Sequence, residues 1–142
     1  MKKIMYIDDE ADSEKMASKF EIMEEEGIQA LRITRVENVL PTLEKEIDNV
    51  QAIVLDIIMP PENLYSLDET NGGTTTGIRL LEDIRSKYKR VPIVIVSIKR
   101  RGHMEHIIDR FKVAEYLEKP ISASELSKTI NRVIMTKKNP EE

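Results

Sequence analysis

The sequence predicts a single α/β domain in which a five-stranded parallel sheet is covered by helices on both faces. Strand-like and helix-like segments alternate along the 142 residues. Two of the strand segments, at 52–60 and 92–97, are almost wholly apolar, as strands buried on both faces are. A chain of this length also suits one domain with a sizeable core. Such alternation implies right-handed crossovers and a parallel sheet.

Five segments have the pattern of strands. The second alternates apolar and polar residues, as an edge or half-buried strand does, whereas the third and fourth are continuous apolar runs. The predicted strands are Lys3 to Ile7, Ile28 to Ile33, the run that starts at Ala52, Pro92 to Ser97, and Val113 to Leu117.

Five further segments have the periodicity of amphipathic helices, at about 12–26, 36–47, 78–88, 104–111 and 122–138. Gly27 is placed to end the first helix, and Pro41 must lie in or near the first turn of the second. Ser122 and Glu125 form a capping-box signature for the last. The order matches the flavodoxin-like doubly wound (βα)5 sandwich, with strand order 2-1-3-4-5. The domain is predicted to span 1–138, followed by a frayed tail at 139–142.

Composition excludes several classes of protein. The chain has no cysteine, so a disulfide framework and a thiol nucleophile are ruled out. Its net charge of −4 and its 4% aromatic content argue against direct nucleic-acid binding. The sequence shows neither a signal peptide nor a membrane-spanning run, which together with the absent cysteines favours the cytoplasm.

Polar side chains follow four of the predicted strands. Asp8 and Asp9 end strand 1, Asp56 ends strand 3, Ser97 ends strand 4 and Lys119 follows strand 5. In a doubly wound sheet, ligands bind outside the carboxyl ends of the strands at the switch point between strands 1 and 3. The alternation therefore predicts that three carboxylates, a hydroxyl and a lysine converge there.

This set of groups suits magnesium-dependent phosphoryl transfer. Clustered carboxylates are the ligands that Mg²⁺ prefers, and lysine supplies a point charge for phosphate. An aspartate can itself be the nucleophile and form an aspartyl-phosphate. Plainer interpretations exist for each residue: Asp8 and Asp9 as helix caps, Asp56 as a turn cap, Ser97 as a turn hydroxyl, and Lys119 as a surface lysine. The residues alone leave these open.

The ordered motifs resemble the receiver domains of two-component response regulators over nearly the whole chain. The resemblance implies that Asp56 accepts phosphate and that Asp8, Asp9, Asp56 and the backbone carbonyl of Ile58 bind Mg²⁺. It also implies that Lys119 pairs with Asp56 or its phosphoryl group. Ser97 would be the switch hydroxyl and Tyr116 the switch aromatic. A cis Lys119-Pro120 bond is also expected.

The chain departs from the family pattern after strand 3. The glycine that opens helix 3 is Gly77, 21 residues after Asp56 and more than twice the usual spacing. The loop therefore carries an insertion at about 61–75. Asn71-Gly72-Gly73 suggests flexibility, and the hypotheses are a tolerated surface insertion or a lid that gates Asp56 or contacts a partner. Ile98 also stands where the family commonly has a small residue.

The predicted function is a stand-alone phospho-accepting receiver, not an enzyme in the ordinary sense. Its expected partners are a histidine kinase or phosphotransfer protein and a downstream protein bound through helix 4, strand 5 and helix 5, and it is expected to be a monomer or weak dimer. One alternative is a receiver-like interaction module that is never phosphorylated. A Mg²⁺-dependent phosphatase is disfavoured, because Ile58 stands where such enzymes generally need a second acid.

Overall fold

The computed structural model describes residues 1–138, and the predicted tail at 139–142 lies outside them. Its centre is one five-stranded parallel sheet in the order β2-β1-β3-β4-β5, which confirms the predicted topology. The strands are β1 (Lys2–Ile7), β2 (Ile28–Ile33), β3 (Ala52–Leu55), β4 (Ile93–Ser97) and β5 (Glu115–Glu118).

The five helices alternate with the strands, as predicted. They are α1 (Glu14–Glu25), α2 (Val39–Glu46), α3 (Thr76–Lys87), α4 (Glu105–Phe111) and α5 (Ala123–Lys138). Ser13 caps α1 by accepting a hydrogen bond from the Met16 amide, and Ser122 does the same for α5 with the Glu125 amide. Pro41 lies in the first turn of α2. Backbone N–H groups in the first turn have no hydrogen-bond partner within the helix, so proline is tolerated there. None of the helices in residues 1–138 is long and apolar enough to cross a membrane.

The core forms two layers because successive strand residues point to opposite faces of the sheet. One layer packs against α2, α3 and α4, and its strand residues include Met5, Ile7, Ile53, Leu55, Ile93 and Ile95. The other packs against α1 and α5, and its strand residues include Ile4, Tyr6, Ala52, Val54, Val94 and Val96. All four residues of β3 are buried, so this strand is covered on both faces of the sheet. This explains the unbroken apolar run in its sequence.

The fifth strand begins later than the sequence pattern indicated. Val113 is buried, but its amide donates to the Ile108 carbonyl at 3.0 Å and completes the end of α4. Lys112 adopts a left-handed conformation there, with φ of 53°. The predicted strand from Val113 to Leu117 is therefore wrong at both ends, since burial of Val113 serves the helix terminus and pairing runs to Glu118.

Gly77 sets how closely α3 approaches the end of β3. Its amide donates to the Ile57 carbonyl at 2.8 Å. A Cβ on this residue would lie 2.5 Å from both the Asp56 carbonyl oxygen and the Ile57 Cα, so backbone would have to move. The helix that follows the long loop is thereby anchored against the segment that carries Asp56.

We predict that Gly77→Ala lowers the free energy of unfolding by about 1–3 kcal/mol, the usual cost of overpacking. Alanine normally favours a helix, so a loss here reflects the backbone contact. Gly102→Ala is the matched control, because nothing lies within 4 Å of a Cβ at that position. Urea denaturation measures both variants, and equal stabilities for the two would contradict the close-approach argument.

Candidate functional site

The three predicted carboxylates meet at the carboxyl edge of the sheet. Asp8 follows β1 and Asp56 follows β3, and these two strands pair directly. Asp8, Asp9 and Asp56 each place a carboxylate oxygen within 4.8 Å of the others. Asp8 and Asp56 are buried whereas Asp9 is exposed, so the cluster opens to solvent on the Asp9 side.

Lys119, which directly follows the edge strand β5, reaches across to the carboxylate cluster. Its Nζ lies 3.0 Å from Asp56 Oδ2 and 3.2 Å from Asp8 Oδ2. The other oxygens of these two acids are also held, since Asp8 Oδ1 accepts from the Glu10 amide at 2.9 Å and Asp56 Oδ1 from the Ile58 amide at 3.3 Å. The Lys119-Pro120 bond is cis, as the resemblance predicted.

The balance of charge and burial decides the protonation of these groups. Burial raises the pKa of Asp56, and the nearby Lys119 only partly offsets that increase. The pKa of Asp9 is raised as well, first by partial desolvation within the cluster and then by the charge of Asp8. Burial lowers the pKa of Lys119, but the Asp56 and Asp8 carboxylates outweigh it, and its pKa is raised overall. The site therefore has more negative charge than its single lysine compensates.

The carboxylate geometry fits a small divalent cation. Mg²⁺ binds oxygen at roughly 2.1 Å in an octahedron, which places opposite ligand oxygens roughly 4.2 Å apart. Oxygens within 4.8 Å of one another need only small rotations, or one bridging water, to reach that arrangement. A metal-bound site would also relieve the repulsion that raises the pKa values of Asp9 and Asp56.

Ser97 and Tyr116 lie at the next strand ends and are linked through one loop. Ser97 is fully buried at the end of β4, and its hydroxyl accepts from the Lys99 amide at 3.3 Å. The buried Tyr116 donates its phenol proton to the Lys99 carbonyl at 2.7 Å. Between them, the two hydroxyls hold the segment after β4. Ile98, which departs from the family pattern, is 68% exposed beside this segment.

The long segment after β3 is folded back onto the domain. Tyr65 is buried, and its hydroxyl donates to Asp83 on α3. The Arg79 guanidinium lies 5.6 Å from the centre of the Tyr65 ring. At the outer end, Glu62 pairs with Arg35 in the β2–α2 connection at 3.3 Å. These contacts attach the insertion to α3 through Tyr65 and to the β2–α2 connection through Glu62.

The residues that suggested flexibility instead form a defined turn. Asn71, Gly72 and Gly73 have φ values of 51°, 70° and 92°. Such values favour glycine and asparagine, so these residues are explained by a left-handed backbone. The turn returns the chain to the site, where the Gly73 carbonyl accepts from the Met59 amide at 3.2 Å.

Thr76 is a site residue that the sequence did not single out. It is fully buried at the start of α3, and its hydroxyl lies within hydrogen-bond distance of the Met59 and Gly73 carbonyls. Together with Gly77, it fixes the backbone on both sides of Ile58. The run of three threonines at 74–76 was the only local signal, and it does not show which threonine is buried.

The fold and site together define a class of protein: the chain has the fold of response regulator receiver domains. A receiver domain protein from Clostridium thermocellum superposes with a TM-score of 0.75 at 22% identity, covering 97% of this chain and 98% of that one. A CheY-like receiver domain protein from Methanospirillum hungatei JF-1 gives 0.74 at 18% identity, covering 99% and 98%.

The same fold also occurs as part of a longer protein. NtrX from Brucella abortus gives a TM-score of 0.74 at 20% identity, covering 99% of this chain but 29% of that chain. No family model matches the sequence, and no curated protein matches it either. The similarity is therefore visible in the fold rather than in overall sequence identity.

We predict that Asp56→Asn raises the free energy of unfolding of the metal-free protein at pH 7. The pKa of Asp56 is higher in the folded than in the unfolded state, so its ionised form opposes folding above that pKa. The opposition disappears as the pH falls below about 3.9, the unfolded pKa, so the advantage of the variant should shrink on acidification. In the Asp56→Asn variant, Lys119 still has the Asp8 carboxylate as its ion-pair partner, so the substitution does not leave the lysine unpaired.

Urea denaturation in EDTA at neutral pH and near pH 4 measures this difference. Asp109→Asn is the matched control, because Asp109 is exposed on α4 and its neutralisation should change stability by less than about 0.5 kcal/mol. An Asp56→Asn variant that is less stable than wild type at neutral pH would show that the pair with Lys119 outweighs burial.

Proposed function

We propose that this protein is a phospho-accepting receiver of a two-component phosphorelay, phosphorylated on Asp56. The observation that carries the proposal is the juxtaposition of a buried aspartate with a lysine at 3.0 Å and with two further carboxylates in cation-binding range. A structural ion pair needs only the lysine and one acid. The additional carboxylates have a purpose if a cation and a phosphoryl group share the site.

Asp56 is the proposed nucleophile. One of its oxygens forms the new bond to phosphorus as the donor's bond to the phosphoryl group breaks, and the donor leaves with the bonding electrons. Lys119 is placed to neutralise charge on the phosphoryl oxygens, because its Nζ already contacts Asp56. Ser97 would donate its hydroxyl proton to a phosphoryl oxygen after turning from the Lys99 amide.

The proposed magnesium ligands are Asp9 and Asp56 directly, Asp8 through water, and the Ile58 carbonyl. When bound, the cation supplies the positive charge that lets two carboxylates and a phosphoryl group lie together. The protein's own contribution is to hold these oxygens in place. The Thr76 hydroxyl and the Gly77 amide, which bind the carbonyls on either side of Ile58, act as positioning groups for that ligand.

Signalling would follow from release of the loop after β4. If Ser97 turns to the phosphoryl group, the segment at Lys99 loses one of its two hydroxyl contacts and Tyr116 keeps the other. The surface formed by α4, β5 and α5 borders this loop and is the proposed site for the downstream partner. A histidine kinase or phosphotransfer protein is the proposed donor. We further propose a cytoplasmic protein that is a monomer or weak dimer.

We predict that Mg²⁺ and acetyl phosphate together add one phosphoryl group to the wild type. Asp56→Asn should show no adduct, because the nucleophilic oxygen is gone. Asp9→Asn should slow phosphorylation by about 10²-fold, since it removes a metal ligand. Intact-mass measurement over time gives each rate.

Asp12→Asn is the matched control for Asp9→Asn, as it removes a nearby exposed carboxylate outside the cluster and should leave the rate unchanged. Wild-type protein that gains no phosphate although Mg²⁺ binds would support the alternative, a receiver-like module that is never phosphorylated. An adduct that persists in Asp56→Asn would place the acceptor elsewhere.

We also propose that the 61–75 insertion supports the site backbone as well as covering α3. Deletion of residues 61–73 removes the Tyr65 contact with Asp83 and the Gly73 carbonyl that binds the Met59 amide. We predict that the deletion slows phosphorylation by about tenfold, because the backbone beside Ile58 loses the hydrogen bond from the Met59 amide to the Gly73 carbonyl and is held less firmly. Phosphorylation kinetics at saturating Mg²⁺ provide the measurement.

Point variants separate this effect from a general loss of stability. Tyr65→Phe removes only the hydroxyl contact and should cost about 1 kcal/mol of stability. Tyr88→Phe removes a comparable hydroxyl from a partly exposed tyrosine and serves as the control. A deletion variant that folds and is phosphorylated at the wild-type rate would mean that the insertion does not support the site.

A further inference from the structure

The amino edge of the sheet, opposite the carboxylate cluster, contains a cavity of about 600 Å³. Its walls come from the segments that lead into β3 and β4 and from the last turns of α3 and α5. Its apolar surface comes from Ile47, Val50, Val91, Pro92 and Ile134. Four cationic side chains surround this apolar surface: Lys87, Lys89, Arg90 and Lys137.

A second cavity of about 510 Å³ continues the first towards β5. The two share Lys89, Arg90, Pro92 and Lys137, so they form one groove along the starts of β3, β4 and β5. We call this surface the amino-edge groove. The second cavity adds three more cations, Arg85, Lys112 and Arg132.

The groove has an excess of positive charge in a chain that is acidic overall. Seven of the 22 lysines and arginines line it, against one of the 26 acids among the described lining residues. That acid, Glu115, is already paired with Arg132 at 2.8 Å. The carboxyl ends of α3, α4 and α5 lie nearby. Each carries the negative end of a helix dipole, which offsets roughly half of one positive charge. About four positive charges therefore remain without a counter-charge from the described lining residues.

Arg85 shows how the groove is built. Its guanidinium donates to the carbonyls of Phe111, Val91, Tyr88 and Lys112 at 2.6, 2.8, 3.1 and 3.2 Å. These bonds join the ends of α3 and α4 to the start of β4, but the partners are neutral, so the charge of Arg85 stays uncompensated. Burial, Arg85 and Arg90 together lower the pKa of Lys137, which is the expected effect of an electropositive surrounding.

We propose that the amino-edge groove docks an acidic segment of a partner protein, with aliphatic side chains of that segment on the groove's apolar surface. Charge complementarity selects an anionic partner. The aliphatic surface favours a peptide over a nucleic acid. A nucleic-acid base would need an aromatic ring to stack on, and Tyr88 is the one aromatic residue that lines the first cavity. The Lys87 ammonium lies over the face of that ring, 5.7 Å from its centre, and so occupies the position of a stacked base. The acids elsewhere on the chain would also repel a long polyanion.

This surface is separate from the proposed phosphorylation site. The strands between the two edges are four to six residues long, or roughly 13–20 Å. Docking at the groove would leave Asp56 free to exchange phosphate with its donor. The groove therefore suits a constant anchor for a partner, independent of the surface that responds to phosphorylation.

The test is binding of a fluorescein-labelled peptide in which Glu and Leu residues alternate with serine spacers. A peptide of about ten residues extends over roughly 33 Å, more than enough to cross the starts of three strands. Fluorescence anisotropy at low ionic strength should give saturable binding that weakens with added salt. The double variant Lys89→Glu/Arg90→Glu should weaken binding at least about tenfold.

Matched controls assign the effect to the groove and to its chemistry. Lys15→Glu/Lys128→Glu reverses two exposed lysines outside the groove lining, one on α1 and one on α5, and should change affinity less than about twofold. Peptides with Gln for Glu, or with Ser for Leu, should bind at least about tenfold more weakly than the parent peptide. All variants should keep the wild-type phosphorylation rate, which separates this proposal from that of the phosphorylated aspartate.

Several results would overturn the proposal. They are absence of peptide binding, equal weakening by the two double reversals, and equal binding of either substituted peptide. Tighter binding of a labelled single-stranded oligonucleotide, lost in Lys89→Glu/Arg90→Glu, would assign the groove to nucleic acid instead.

Discussion

The contact of one ammonium group with two buried carboxylates is the constraint on which the site depends. Asp8 and Asp56 lie on neighbouring strands, so their charges face each other with little water between them. Lys119 comes from beyond β5, two strands from β3 and thus roughly 10 Å away across the sheet. Only a long cationic side chain spans that distance. Strand order, side-chain length and charge therefore have to agree, and a shorter or neutral residue at 119 would leave two buried acids without a counter-ion.

A second constraint is the narrow space between β3 and α3. The strand is buried on both faces, so its end cannot move without disturbing both core layers. Gly77 lets the helix touch this end, and Thr76 holds the carbonyl beyond it. The inserted segment at 61–75 makes its turns outside this fixed frame. Its length is tolerated because both of its ends return to the same backbone, where Met59 and Gly73 are hydrogen-bonded.

Much of the fold and the positions of the site residues followed from local sequence. Continuous apolar runs marked the buried strands, and the alternation with helices placed Asp8, Asp56, Ser97 and Lys119 at one edge. The path of the insertion could not be predicted from the sequence. It depends on the contact of Tyr65 with Asp83, and no pattern in the sequence indicates that these two residues meet. The start of β5 was misplaced since burial of Val113 serves a helix end. The amino-edge groove was also missed, because its cations are scattered from Arg85 to Lys137 and converge only in the folded chain.

The carboxylate cluster and the amino-edge groove place local charges of opposite sign at the two edges of the sheet, and this pair contributes a dipole along the strands. Three carboxylates lie at one pole, compensated by one lysine, and seven cations line the other. In the field of a charged macromolecule such a dipole experiences a torque before contact, which biases the orientation of approach. A surface of negative potential would turn the amino edge towards itself and leave the carboxylate pole facing outward. Encounter with a partner would then begin with alignment, at a range set by the ionic strength rather than by surface shape.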